Sequence, residues 1–329
     1  MRVLVTGGNG FLGRAIVEEL VARGHEVTSG ARRAQPEIEA LGARAVQLDL
    51  AELDSVRNAV AGHDAVVHAA ALTGVWGPRA AFVETNVLGT RRVLQACVEQ
   101  GVARLVYTGS PSACFDGRDH VDASNDLKYA RRFLSPYPET KALAEAEVLA
   151  ANGRLGLLTC ALRPHLIVGA RDPHLVPRLL ARARAGRLRI VGRGDNEVSL
   201  CHVRNAAVAH ALALERLDAS ARHAGRAYFV VQREPVRLWP WIARLCSAVG
   251  APGPRGRVPL GVAYAAGGAC ELAWKVARRA SEPPMTRFVA LQLARSHSYS
   301  LAPARADFGY EEVVSLEEAT AELARAFAR

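Results

Sequence analysis

The apolar positions in the first half of the chain fall into short runs separated by helix-length stretches. Val3 to Val5 sits in the first run, residues 2–6, and similar runs recur at 26–30, 44–48, 65–69, 103–108 and 157–162. Short continuous apolar runs read as strands buried on both faces, and regular alternation with helices implies a doubly wound parallel sheet with right-handed crossovers. Gly24-His25 and Gly62-His63 stand just before strands, where helices should stop. Beyond residue 170 the rhythm changes. Pro and Gly cluster at 169–177, 186–194 and 250–261, and the apolar runs shorten. The pattern predicts an α/β fold in two parts. Residues 1–168 form the sheet domain, and 169–329 a smaller, mostly helical lobe interleaved with it through two or three strands, notably Ala227 to Val231. No internal repeat or low-complexity block is visible.

The break after the first run is the most informative local feature. Gly7, Gly8, Gly10 and Gly13 follow Thr6, and residues 14–23 then carry a helical pattern. Strand, glycine turn and helix N-terminus together make an anion site, with backbone N–H groups and the positive dipole end facing a pyrophosphate. Gly7 and Gly10 allow the tight turn and close backbone approach, and Gly13 lets the helix pack on the strand. A lone GxGxxG is weak, but after the first strand, with a second strand behind it, it is specific for a Rossmann-type dinucleotide site.

Tyr137 and Lys141 form a second constellation with Ser110. Pro136-Tyr-Pro-Glu-Thr-Lys141 reads as the first turns of a helix running to about Ala151, and i,i+4 spacing puts both side chains on one face. A tyrosine is a poor acid or base at neutral pH, so a neighbouring ammonium, together with the positive ring of an oxidised nicotinamide, usefully stabilises the phenolate and lowers its pKa. Lys141 is one of three lysines, with Lys128 and Lys275, in an arginine-rich chain. Ser110 follows the run Leu105 to Tyr107, at the strand end where open parallel sheets place ligands.

Composition narrows the classes of partner. The chain has 329 residues, half of them hydrophobic and 22% charged, with a net charge of +10. That charge is scattered arginine without like-charge blocks or aromatic interleaving, so nucleic acid is not expected. The six cysteines show no C-x-x-C and no metal-ligand spacing, which predicts buried free thiols and no metal site. His202 and His210 read as structural, and Trp239 and Trp241 as packing residues. The first strand begins at once, with no charged-then-apolar leader, so a cytoplasmic protein is expected. Leu260 to Trp274 is rich in Ala, Gly, Leu and Val and flanked by Arg255, Arg257, Lys275, Arg278 and Arg279. It is too short to span a bilayer and reads first as a buried helix, with a helix at a membrane interface as the alternative.

These motifs resemble the extended short-chain dehydrogenases/reductases, and within them the 3β-hydroxysteroid dehydrogenase family, over nearly the whole chain. Thr6-Gly-Gly-Asn-Gly-Phe-Leu-Gly13 is similar to the family's TGGxGFLG, which adds Phe11 and Leu12 to the glycines as cofactor contacts. Asp49-Leu50 resembles its adenine-side Asp, and His68-Ala-Ala-Ala71 the loop beneath the cofactor, implying Ala69, Ala70 and Ala71. Asn86-Val-Leu-Gly-Thr90 resembles NVxGT, Tyr107-Thr-Gly-Ser-Pro-Ser112 resembles YTSSPS, and Arg163 to Gly169 resembles RPxxIxG, implying Asn86, Pro164 and Ile167. Pro283 to Phe288 and Tyr299 to Tyr310 resemble the family's PPLTRF and YSxxKARxDLGY. Gly109 departs from the pattern, standing where the family has the first of two serines. Ser110 is therefore the catalytic serine expected with Tyr137 and Lys141, and Ser112 a weaker candidate. Thr73, Trp76, Ser112 and His165 are the candidate substrate contacts.

At the end of the second strand Ala31 replaces the acidic residue that would bind a ribose 2′-OH, and Arg32 and Arg33 follow. Two guanidiniums favour a 2′-phosphate, so NADP(H) is preferred and NAD(H) allowed. The resemblance implies hydride transfer between a 3-oxo and a 3β-hydroxy group on a lipophilic molecule: a steroid, a sterol or a long 2-alkyl-3-oxo acid. The alternatives are a nucleotide-sugar epimerase or dehydratase of the same fold, or a non-catalytic dinucleotide sensor. Dehydratases show Thr-Asp/Glu where this chain has Ser110-Pro111, and a sensor needs neither Tyr137 nor Lys141. Peripheral membrane contact and a homodimer are further associations to test.

Overall fold

A computed structural model describes residues 1–328. Seven parallel strands form the main sheet: β1 (Arg2–Thr6), β2 (Glu26–Ala31), β3 (Arg44–Gln47), β4 (Ala65–His68), β5 (Arg104–Thr108), β6 (Leu158–Pro164) and β7 (Ala227–Val230). Their spatial order is β3-β2-β1-β4-β5-β6-β7, with Val5 paired to Ser29 on one side and Val67 on the other. The order reverses between β1 and β4, which opens a crevice at the strands' C-terminal ends.

Both faces of the sheet are covered, because its residues are apolar in continuous runs rather than in alternation. Val3, Val5 and Val67 pack beneath α1 (Phe11–Ala22), while Leu4, Val66 and Leu105 pack beneath α2 (Gly89–Glu99) and α3 (Pro136–Ala150). The second half of the chain returns to this layer. α4 (Val203–Glu215) lies against α1, and β7 extends the sheet with Tyr228 opposite Leu162.

The remaining lobe has its own core, in which α5 (Leu238–Ala248) buries Trp239 and Trp241. Their indole N–H groups donate to the Leu293 carbonyl oxygen and to Thr320 Oγ1, both at 3.1 Å, as packing residues with a polar edge do. This lobe holds more strand than its sequence predicts. A small sheet joins Val236–Arg237, Glu197–Val198, His297–Tyr299 and His120–Ala123, segments too short to carry a readable period. The cysteines are free, and all but Cys270 are buried.

The expected buried helix over Leu260 to Trp274 is corrected. α6 (Leu260–Val276) buries only Ala263 and Gly267, and leaves Val262, Leu272 and Val276 at 58%, 64% and 77% exposure. It packs along a narrow seam of small residues. A Cβ on Gly267 would lie 2.6 Å from the Thr286 backbone at the start of α7 (Arg287–Ala294), so the two segments meet at that glycine, Glu271 one turn on accepts from Arg287, and the opposite face is exposed. Among the described residues no helix is long and apolar enough to cross a membrane.

Candidate active site

β1 is followed by Gly7, whose φ of 71° and close approach to Ala70 exclude a side chain. A Cβ there would lie 2.8 Å from the Ala70 Cα. Gly7 donates to the Gly30 carbonyl oxygen at 2.7 Å, the last bond to β2, the Gly10 N–H closes the turn on the Gly7 carbonyl oxygen at 2.9 Å, and Gly10 caps α1 with extended backbone. A Cβ on Gly13 would collide with the Gly7 carbonyl oxygen. The first-turn N–H groups of α1 therefore face a crevice with no side chain in front of them, the geometry that suits a pyrophosphate.

That crevice is a cleft of about 830 Å³. Gly7, Gly10, Phe11, Leu12 and Gly13 line its phosphate end, and Arg32, Asp49 and Leu50 its far end under β2 and β3. Ala69, Ala70, Ala71 and Thr73 form the floor, and Pro164 at the end of β6 and Ile167 just beyond it close the cleft. Volume, glycine cradle and exposed helix N-terminus all fit a nicotinamide dinucleotide. Glu84 and Thr85, at the start of an irregular helical turn, line the cleft as well, and no motif in the sequence points to them.

Ser110, Tyr137 and Lys141 meet on one wall. Ser110 caps the short turn after β5 and accepts from the Ser112 N–H at 3.3 Å. Tyr137 and Lys141 lie one turn apart at the start of α3, where Pro136 sits at the first helical position. Lys141 is 2% exposed. Its Nζ donates to the Thr108 carbonyl oxygen and lies 4.2 Å from the centre of the Tyr107 ring. Burial lowers its pKa to about 7, opposed by the Glu145 carboxylate. Lys141 alone, apart from a nicotinamide ring, does not lower the Tyr137 pKa. Burial pushes the phenol up, and the Ser110 hydroxyl pulls it part of the way back. The ammonium is directed at Thr108 and Tyr107, so the phenol keeps its proton.

Several residues picked from the sequence stand elsewhere. Arg33 is exposed beside the cleft rather than on its lining. Asn86 is buried as a strut: its amide accepts from the Leu72 N–H at 2.7 Å and donates to the Leu72 carbonyl and to Thr140 Oγ1. Trp76 turns outward and donates to the Arg279 carbonyl oxygen at 3.2 Å, while Thr73 of the same loop reaches the cleft. Ser112 lies behind Ser110, with the two hydroxyl oxygens 2.8 Å apart. His165 is buried, with Nε2 2.6 Å from His297 Nδ1 at the seam with the small sheet. His210 joins Thr108 Oγ1 to the Ala206 carbonyl, and His202 caps α4, both structural roles. Among the described residues no cluster of His, Cys, Asp or Glu could hold a metal ion.

A glycine-cradled dinucleotide cleft with Ser, Tyr and Lys on one wall defines a short-chain dehydrogenase/reductase, an oxidoreductase acting on CH–OH groups. The profile of the 3-beta hydroxysteroid dehydrogenase/isomerase family matches residues 4–260, and the chain belongs to that family. It is 46% identical to the 2-alkyl-3-oxoalkanoate reductase of Stenotrophomonas maltophilia, over 97% of each chain. It is 32% identical to the decarboxylating sterol-4-alpha-carboxylate 3-dehydrogenase of Mus musculus, over 98% of this chain and 90% of the relative. Among solved structures, the UDP-glucose 4-epimerase of Thermus thermophilus in complex with NAD superposes with a TM-score of 0.72 at 25% identity, over 99% of both chains.

Proposed function

We propose that this protein reduces a 3-oxo group to a 3β-hydroxy group on a lipophilic acid, a long 2-alkyl-3-oxo acid before a sterol, with NADPH as the preferred partner. The observation that carries the reading is the Ser110–Tyr137–Lys141 wall inside the glycine-cradled cleft. Support for the substrate comes from the likeness to a 2-alkyl-3-oxoalkanoate reductase along almost the full chain.

When bound, a nicotinamide dinucleotide supplies the hydride. Gly7, Gly10, Phe11, Leu12 and Gly13 would hold its phosphates, and Asp49 and Leu50 its adenine side. Lys141 would hold the ribose beside Ala69, Ala70 and Ala71, with Pro164 and Ile167 against the ring. The Ser110 hydroxyl orients the substrate oxygen. Tyr137, whose burial keeps the phenol protonated, gives that oxygen its proton. The same groups run the reverse reaction, in which Tyr137 takes a proton from the alcohol.

NADPH preference rests on Arg32, which lines the cleft and makes no ion pair among the described residues, next to Ala31 where a carboxylate would repel a 2′-phosphate. The substrate-binding part is the lobe after residue 168, entered past Thr73. The outward apolar face of α6, with Arg255, Arg257, Lys275, Arg278 and Arg279 at its ends, suits peripheral contact with an anionic lipid surface. Six free thiols accord with a reducing, cytoplasmic setting.

A turnover screen tests the reading. Long 2-alkyl-3-oxo acids and 3-ketosteroids are each offered with NADPH and with NADH, and UDP-glucose with NADP+ and with NAD+. Turnover of the oxo acids with NADPH supports it; turnover of UDP-glucose alone, or of none, overturns it.

A further inference from the structure

Lys141 is enclosed, and the groups facing it can be named one by one. From β5 come the Thr108 carbonyl oxygen and the Tyr107 ring. From β4 comes His68, held by Thr6 at 2.7 Å and Thr90 at 3.0 Å and kept neutral by burial, with its pKa lowered to about 3. From α4 comes His210, lowered to about 4. From α3 come Tyr137 and, one turn further on, Glu145. Among these, Glu145 is the one carboxylate.

Glu145 is fully buried, and its position is fixed from three sides. Arg163 on β6 donates from Nε at 3.0 Å and from Nη2, and Tyr129 donates its hydroxyl at 2.8 Å. The third side is the gap at Gly109. A Cβ on Gly109 would overlap Glu145 Oε2, so the missing side chain at the residue before Ser110 is what lets the carboxylate sit against the β5 strand end. The glycine that departs from the family's paired serines thus has a steric cause in this chain.

We propose that Glu145, clamped by Arg163 and Tyr129 in the space left by Gly109, is a positioning residue that favours the charged form of Lys141. Among the described residues Lys141 makes no ion pair within 4 Å, so Glu145 acts through its field across one helical turn, in surroundings where solvent screens little. Its clamp by Arg163 keeps the carboxylate stationary. The two buried imidazoles beside Lys141 stay neutral, so they neither compete for nor supply this charge.

The inference rests on the proposed role of Lys141, and the test separates the two. With [13Cε]lysine the chain gives three lysine signals, two of them from the exposed Lys128 and Lys275, which serve as internal references. Loss of one signal in Lys141→Met assigns the third, and its shift against pH reports the Lys141 protonation midpoint without any turnover. Glu145→Gln should lower that midpoint at least tenfold in proton affinity. Gly109→Ala, which keeps the carboxylate but displaces it, should lower it in the same direction. Because Glu145→Gln strands the Arg163 guanidinium and risks unfolding, Glu145→Gln with Arg163→Met is measured alongside; it removes both charges of the clamp and should shift the midpoint in the same direction by less. An unchanged midpoint in the folded variants overturns the inference. If the midpoint moves but Lys141→Met leaves turnover intact, the catalytic reading fails and the electrostatic inference stands.

Discussion

At the end of β2 the chain offers Ala31 and then the exposed guanidinium of Arg32, on the cleft wall where a carboxylate would select a free ribose hydroxyl. Removing that guanidinium in Arg32→Ala should weaken NADPH binding by roughly 1.5–3 kcal/mol, the range for a hydrogen bond to a charged group, and leave NADH nearly unchanged. Fluorescence titration with both cofactors checks this; equal losses, or a parent protein that prefers NADH, would contradict it. Sequence spacing locates Ser110, Tyr137 and Lys141 because helix periodicity and strand ends are local properties. It does not place Arg33, Asn86 or His165, whose positions depend on how distant segments meet. Asn86 spends its amide on Leu72 and Thr140, and His165 its ring on His297, 132 residues away. Glu145 escapes sequence reading for the same reason: only the folded β6 brings Arg163 to it.

At the level of elements, the strands of the main sheet are legible because a two-sided buried strand is a continuous apolar run, and the crevice follows from their order. α6 misleads because its apolar content is real but its partner is narrow. Only the stripe from Ala263 and Gly267 to Glu271, which bonds Arg287, finds a neighbour, and composition does not reveal which face that is. The exposed face predicts binding to anionic vesicles at low salt, with about 1 kcal/mol from each basic residue near the surface and release as salt screens the attraction. Co-sedimentation should fall in Val262→Ser with Leu272→Ser, which leave the buried seam intact. Indifference to vesicle charge and salt would leave this face without a lipid role. The start of α1 makes the opposite kind of prediction. Gly13→Ala puts a methyl against the Gly7 carbonyl oxygen and should cost cofactor affinity heavily while leaving β1 to β7 folded by circular dichroism.

Across the whole molecule, buried neutral imidazoles tie the sheet to its surroundings. His68 and His210 sit beneath the cleft, and the His165–His297 pair joins β6 to the small sheet. Burial lowers His68 to about 3 and His210 and His297 to about 4, and it holds His165 well below the ordinary imidazole range. In the unfolded chain these rings titrate near 6.5, so below that pH the unfolded state binds more protons and stability falls as pH falls. The loss should amount to roughly 2 kcal/mol per imidazole at pH 5, seen as a falling Tm between pH 6.5 and 5. A Tm flat over that window would mean the rings are not held neutral.

At the centre of this chemistry, Tyr137 moves the proton in a cleft built to hold a dinucleotide. The most direct test is Tyr137→Phe, compared with the parent for NADPH affinity and for turnover of a long 2-alkyl-3-oxo acid at pH 7. The expected result is nearly unchanged affinity with turnover down by about 10²-fold or more, the scale of lost general acid catalysis. Retention of more than a tenth of the parent turnover would contradict it.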